Sequence, residues 1–108
     1  MSKYLLIESR DPFSSNAVEQ HIELAAALRR DGHAVALFLV QDGVLPCRSG
    51  ADGEMLHEAL AAGVEILADD FSLRERGIDS ANVARGVTPA RIDTVIERLG
   101  ASCKALFF

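Results

Sequence analysis

Two thiols, three imidazoles and a few carboxylates at the ends of apolar runs are the groups in this 108-residue chain that could do chemistry. Cys47 stands in a stretch rich in Gly, Ser, Asp and Pro and is followed by Arg48, whose charge favours the thiolate that nucleophilic sulfur chemistry requires. It is the candidate catalytic residue, on the expectation that its loop is long and exposed; the alternative is an incidental thiol. Cys103, close to the last apolar run, reads as a small core hydrophobe. His21, His33 and His57 include no two at ligand spacing, so they read as surface or half-buried residues and no metal site is expected. No cofactor is expected either. Asp11, Asp42, Gly43 and Asp69 each follow an apolar run, where open α/β sheets place their ligands, and form the candidate binding set. Acids at such places also cap helices, and for Asp69 and Asp70 that reading competes with the ligand one.

These groups need elements to position them. Tyr4 to Ile7 is a short continuous apolar run of the kind found in strands buried on both faces, and His33 to Val40 is a second. Between them Val18, Ile22 and Ala25 recur at helical spacing, with Asn16 and Glu19 as a capping pair and Arg29 and Arg30 before the stop at Gly32. Strand, helix, strand implies parallel neighbours joined by a right-handed crossover. Glu54 to Ala62 reads as a helix closed by Gly63, Val64 to Ala68 as a third strand, and Asp70 to Arg76 as a short helix capped by Asp70 and closed by Gly77. Thr88-Pro89 reads as the start of a last helix with the apolar stripe Ile92, Val95, Ile96 and Leu99, and Lys104 to Phe108 as a final strand. The expected architecture is one three-layer α/β domain over residues 1–108, a mostly parallel, flavodoxin-like sheet of four to five strands.

Composition narrows the classes of function. Acids outnumber bases 16 to 11, a net charge of −5 with no basic stripe, which argues against nucleic acid as a partner. The longest apolar run, Ala34 to Val40, is far short of the roughly 20 residues of a membrane span, and no signal peptide is read at the start. Two distant cysteines form neither a CxxC motif nor a disulfide framework, and a cytoplasmic location is expected. A Walker-type phosphate loop, a GxSxG elbow and an HExxH helix are absent from the sequence.

Several short signatures occur in a fixed order: the opening strand Lys3 to Glu8; Gly32-His33 ahead of Val35 to Leu39; Asp42-Gly43-Val44; Gly63-Val64-Glu65-Ile66; Arg76-Gly77-Ile78; and Gly86-Val87. In that order and spacing the chain resembles the DsrE/TusD-type family of sulfur-relay proteins, which includes YchN-like proteins, over almost its whole length. The resemblance implies a sulfur-handling domain assembled as trimers or hexamers of like or related chains, in which catalytic members carry persulfide sulfur on a cysteine and can pass it to a sulfur-carrier protein. That cysteine lies after the third strand, about eight residues before the glycine of the Arg-Gly signature. Counting back from Gly77 reaches Asp69, and a carboxylate cannot carry sulfane sulfur. Three readings follow: a non-catalytic or atypical subunit beside a cysteine-bearing homologue, a sulfurtransferase with its thiol displaced to Cys47, or a non-covalent binder of a small ligand or nucleotide.

Overall fold

The apolar runs lie where a sheet covered on both faces needs them. In the computed structural model residues 2–12, 15–48, 53–100 and 102–108 are described, without the side chains of residues 53, 54 and 99. Strands β1 (Lys3–Glu8) and β2 (Ala34–Leu39) pair in parallel, Lys3 opposite Ala34 through Glu8 opposite Leu39. Strand β3 (Glu65–Asp69) joins β2, β4 (Val87–Ala90) joins β3, and β5 (Lys104–Phe107) joins the other side of β1. The order is β4-β3-β2-β1-β5, and each of the four pairings is parallel.

Period-two alternation sends successive side chains of each strand to opposite faces. Leu6, Leu37, Leu39 and Ile66 pack with Val18, Ile22 and Ala25 of helix α1 (Ala17–Arg30) and with Leu56 and Ala59 of helix α2 (Gly53–Ala62). Leu5, Ala36, Phe38 and Leu67 meet Val95 of helix α4 (Ile92–Gly100), which follows the short helix α3 (Asp70–Glu75). The chain steps outward from β1 to β4 and then returns across the sheet to β5. Right-handed crossovers therefore place α1 and α2 on one face and α4 on the other. Burial of one such leucine is worth about 1.5–3 kcal/mol, so the two clusters hold the sheet between them.

Three local expectations need correction. Thr88 and Pro89 do not open the last helix; they lie in β4, opposite Leu67 and Ala68, and the helix begins at Ile92. β4 pairs with β3 alone, and an edge strand is the position in a sheet that tolerates proline's missing N–H. Asn16 makes no side-chain cap; the Ser15 hydroxyl accepts from the Ala17 N–H instead, at 3.3 Å. The stretch after β2 is no open loop, because Gln41–Cys47 winds into a 3₁₀ helix with Gly43, Val44, Pro46 and Cys47 buried. The remainder of that expected loop, residues 49–52, lies outside the described residues, as does the Leu99 side chain of the expected α4 stripe.

The 3₁₀ helix is pinned to the end of β1. The Val40 N–H donates to the Glu8 carbonyl at 2.9 Å, the Gly43 N–H donates back to Val40 at 2.9 Å, and a Cβ on residue 43 would collide with the Glu8 carbonyl oxygen. Only glycine lets the two backbones approach so closely. Gly43→Ala is expected to cost about 1–3 kcal/mol as backbone shifts to relieve the overlap. Urea unfolding should show a lower midpoint at constant slope; an unchanged midpoint would mean that the contact is not tight.

Candidate functional site

The carboxyl ends of β1, β2 and β3 open onto a cavity of about 590 Å³ on the α4 face of the sheet. Its floor is apolar, from Ile7, Phe38, Val40 and Val95, and its polar wall comes from the start of the 3₁₀ helix and from α3. Asp69 caps α3: its Oδ2 accepts from the Ser72 N–H at 3.0 Å and from the Ser72 hydroxyl at 2.6 Å. The cap is thus Asp69, and Asp70 is the first residue of the helix, one position off the sequence expectation. The Ser72 oxygen in turn accepts from the Gln41 N–H at 2.8 Å and holds Gln41 at a φ of 52°, a left-handed conformation uncommon for a residue with a side chain. Arg76 closes the wall, donating from Nε to Asp42 Oδ1 at 3.0 Å and from Nη1 to the Ser72 carbonyl at 3.3 Å.

The candidate binding residues therefore separate. Asp42 and Asp69 line the same cavity, each already engaged, one by Arg76 and the other by Ser72. Gly43 is buried against the backbone of β1 and shapes the edge without facing the cavity. Asp11, in the turn after β1, is half-buried at the same edge and does not line the cavity. Ser72 and Arg76, which the sequence reading did not assign to the site, complete the wall; their signal is the i, i+3 spacing from Asp69 to Ser72 ahead of the Arg-Gly turn.

Cys47 is not the exposed thiol that the sequence suggested. It closes the 3₁₀ helix at 0% exposure among the apolar side chains under α1 and α2. Burial pushes its thiol from 9.0 up to about 12, against thiolate formation. Arg48 does not counter this, because it is exposed and its Nε donates to the Leu45 carbonyl at 3.1 Å. Turn composition alone implies exposure, whereas Val44, Leu45 and Pro46 supply enough apolar surface to fold the segment down. Cys103 is half-buried beside a second cavity, of about 630 Å³, at the opposite, amino edge of the strands. No cluster of three metal-ligating side chains occurs among the described residues.

On the α1 face of the carboxyl edge, the fully buried Glu8 meets His21: Oε1 and Nδ1 are 2.7 Å apart, and the imidazole stacks on the Phe108 ring at 3.7 Å between centroids. Little along the chain marks this pair. Glu8 was the polar end of an apolar strand, and His21 one of three scattered histidines.

A doubly wound parallel α/β sheet whose polar groups gather at the carboxyl edge defines a broad class of small-domain proteins. Within it the chain belongs to the DsrE/DsrF-like family, whose sequence profile matches residues 2–108. No curated protein matches it. Among solved structures it is similar to the ychN protein from E. coli, at 23% identity and a TM-score of 0.89 over 100% of both chains. It is also similar to MTH1491 from Methanobacterium thermoautotrophicum, a protein of unknown function, at 18% identity and 0.84 over 100% of both chains. A third is BT1422 from Bacteroides thetaiotaomicron, a conserved protein of unknown function, at 18% and 0.80 over 99% of this chain and 95% of that one. At these identities the structures share the fold.

The Cys47 thiol makes stability depend on alkaline pH. In the unfolded chain it loses its proton near 9.0, in the folded chain near 12, so between those values the unfolded state binds fewer protons and is favoured as pH rises. The stabilisation is whole below pH 9 and declines through the window to about 12, at on the order of 1 kcal/mol per pH unit. Urea midpoints at pH 8 and pH 10.5 should fall further for the native chain than for Cys47→Ala. Equal losses would show that the thiol is not shielded, and so would alkylation of Cys47 as fast as Cys103 in the folded protein.

Proposed function

We propose that the chain is a non-catalytic or atypical subunit of a cytoplasmic sulfur-relay assembly, one that carries out persulfide transfer through a related, cysteine-bearing chain. The observation that carries this reading is Asp69. It occupies the place where the resemblance puts the sulfur-carrying cysteine, and its carboxylate is committed to capping α3 through Ser72. Neither thiol substitutes for it, since Cys47 is buried and Cys103 lies at the other edge of the sheet. The cavity and its surroundings would then serve to receive a partner or a small molecule without a covalent step. A small sulfur-carrier protein is the class of partner that would take the sulfur onward. No helix among the described residues is long and apolar enough to cross a membrane.

Assembly belongs to the same reading. Four large apolar side chains are exposed around α3, α4 and β5: Phe71 at 61%, Ile92 at 56%, Ile96 at 63% and Phe107 at 70%. Three of them, Phe71, Ile92 and Phe107, also line the cavity. A face of this kind is suited to burial against like or related chains, whether in a homo-oligomer or a hetero-oligomer. Sedimentation equilibrium should give an oligomer for the native chain or for its complex with a related chain, and Ile96→Asp should dissociate it. A strict monomer under both conditions would remove the subunit reading.

Sulfur loading gives the second test. After incubation with a low-molecular-weight persulfide and desalting, intact mass should show no reductant-labile sulfur on the native protein or on Cys103→Ser. Asp69→Cys should gain one sulfur atom, at the cost of about 0.5–2 kcal/mol for the lost helix cap. A native protein that loads one sulfur, and loses it in Cys47→Ser, would restore the displaced-thiol enzyme. A folded Asp69→Cys that stays unloaded would show that this edge does not admit persulfide chemistry.

A further inference from the structure

The buried side-chain oxygen left without a partner among the described residues lies outside the cavity. Glu8 is fully buried at the end of β1, its Oε1 is 2.7 Å from His21 Nδ1, and its Oε2 has no hydrogen-bond partner among the described residues. A buried carboxylate left half-satisfied is destabilising, and packing alone would be better served by an apolar side chain. His21 is held on two further sides. Its Cα belongs to the early part of α1, and one ring face is covered by Phe108, whose N–H donates to the Ile7 carbonyl and whose carbonyl oxygen accepts from the Ser9 hydroxyl at 2.9 Å. Of the pair only the imidazole reaches solvent, with 17% of its side chain exposed. Because Nδ1 is turned inward onto the carboxylate, Nε2 is the ring nitrogen left for contact with anything outside.

We propose that Glu8 and His21 form a proton-accepting dyad at the carboxyl edge. Glu8 is the positioning residue: it accepts the Nδ1–H and so fixes the tautomer in which Nε2 carries a free lone pair. His21 is the residue that touches the ligand, and the ligand class is a proton donor, a group X–H on a small molecule or partner. Transfer breaks the X–H bond and forms Nε2–H, leaving X⁻ and an imidazolium. That imidazolium faces the Glu8 carboxylate, so the charge created on the ring is matched by one already buried beside it. The dyad needs no thiol of this chain, and it stands whether or not the sulfur-relay reading holds.

Nitrogen-15 spectra of the histidine rings in the native protein at mildly alkaline pH test the tautomer without any substitution. The proton should be on Nδ1 in His21 and on Nε2 in His33, whose Nδ1 accepts the Ser2 N–H at 3.2 Å and supplies the opposite case in the same molecule. Diethyl pyrocarbonate tests the availability of the lone pair. His21 should be carbethoxylated at Nε2, and Glu8→Gln, whose amide can accept or donate and so releases the tautomer, should slow this several-fold relative to the exposed His57 in the same sample. A proton on Nε2 of His21 in the native protein overturns the proposal. So does a His21 that resists the reagent, or one whose rate is the same in a folded Glu8→Gln variant.

Discussion

The contact on which the carboxyl edge depends is the approach of the Gly43 backbone to the carbonyl of Glu8. A parallel strand delivers the chain to one edge of the sheet, and from there β2 has to lead away without leaving its last amides unpaired. Here the Val40 N–H takes the Glu8 carbonyl, the chain turns through Gln41, and Gly43 settles on the same oxygen. With that contact in place, Val44, Pro46 and Cys47 fall onto the core under α1 and α2. The left-handed Gln41 is then stabilised from the other side by the Ser72 hydroxyl, which is itself held by Asp69. A single 3₁₀ helix therefore ties β1, β2 and α3 together.

Much of the architecture was legible because it rests on long-range solvent exclusion, which leaves its period in the sequence. Leu5 and Leu6, the run Val35 to Leu39, and the stripe Val18, Ile22 and Ala25 are buried where their patterns put them, with Tyr4 and Ile7 half-buried at the ends of the first run. Failures cluster where two local rules compete. Thr88-Pro89 satisfies the rule for a helix start and also the rule for an edge strand, and pairing with β3 decides between them. Pro46, Gly43 and Asp42 satisfy the rule for an open turn, yet the apolar Val44 beside them decides for a packed one.

The site was less legible, for a reason specific to carboxylates. Asp42 and Asp69 were placed at the right edge, but their partners come from Arg76 and Ser72, brought in by α3. A pairing made across a turn or between two elements leaves no period to read. Glu8 shows the difficulty most plainly: nothing in its neighbours along the chain marks it as buried, and only the parity of β1, which sends Leu6 and Glu8 to the same face, puts it under α1.

That parity also separates the chemistry of the edge into two halves. The sheet stands between the Asp69 cavity, on the α4 face, and the Glu8–His21 pair, on the α1 face, and the side chains of one half do not line the other. Their link is the start of the 3₁₀ helix, where Gln41 reaches Ser72 on one side and Gly43 reaches Glu8 on the other, two residues apart. Family membership fixes the sheet and its edge; it does not fix the groups that stand there. The Asp69 carboxylate is bound to its own helix through Ser72, and the cavity beside it has an apolar floor. What the cavity offers is therefore shape and apolar contact, supplied by Ile7, Phe38, Val40 and Val95, because the carboxylates beside them are already engaged by Arg76 and Ser72.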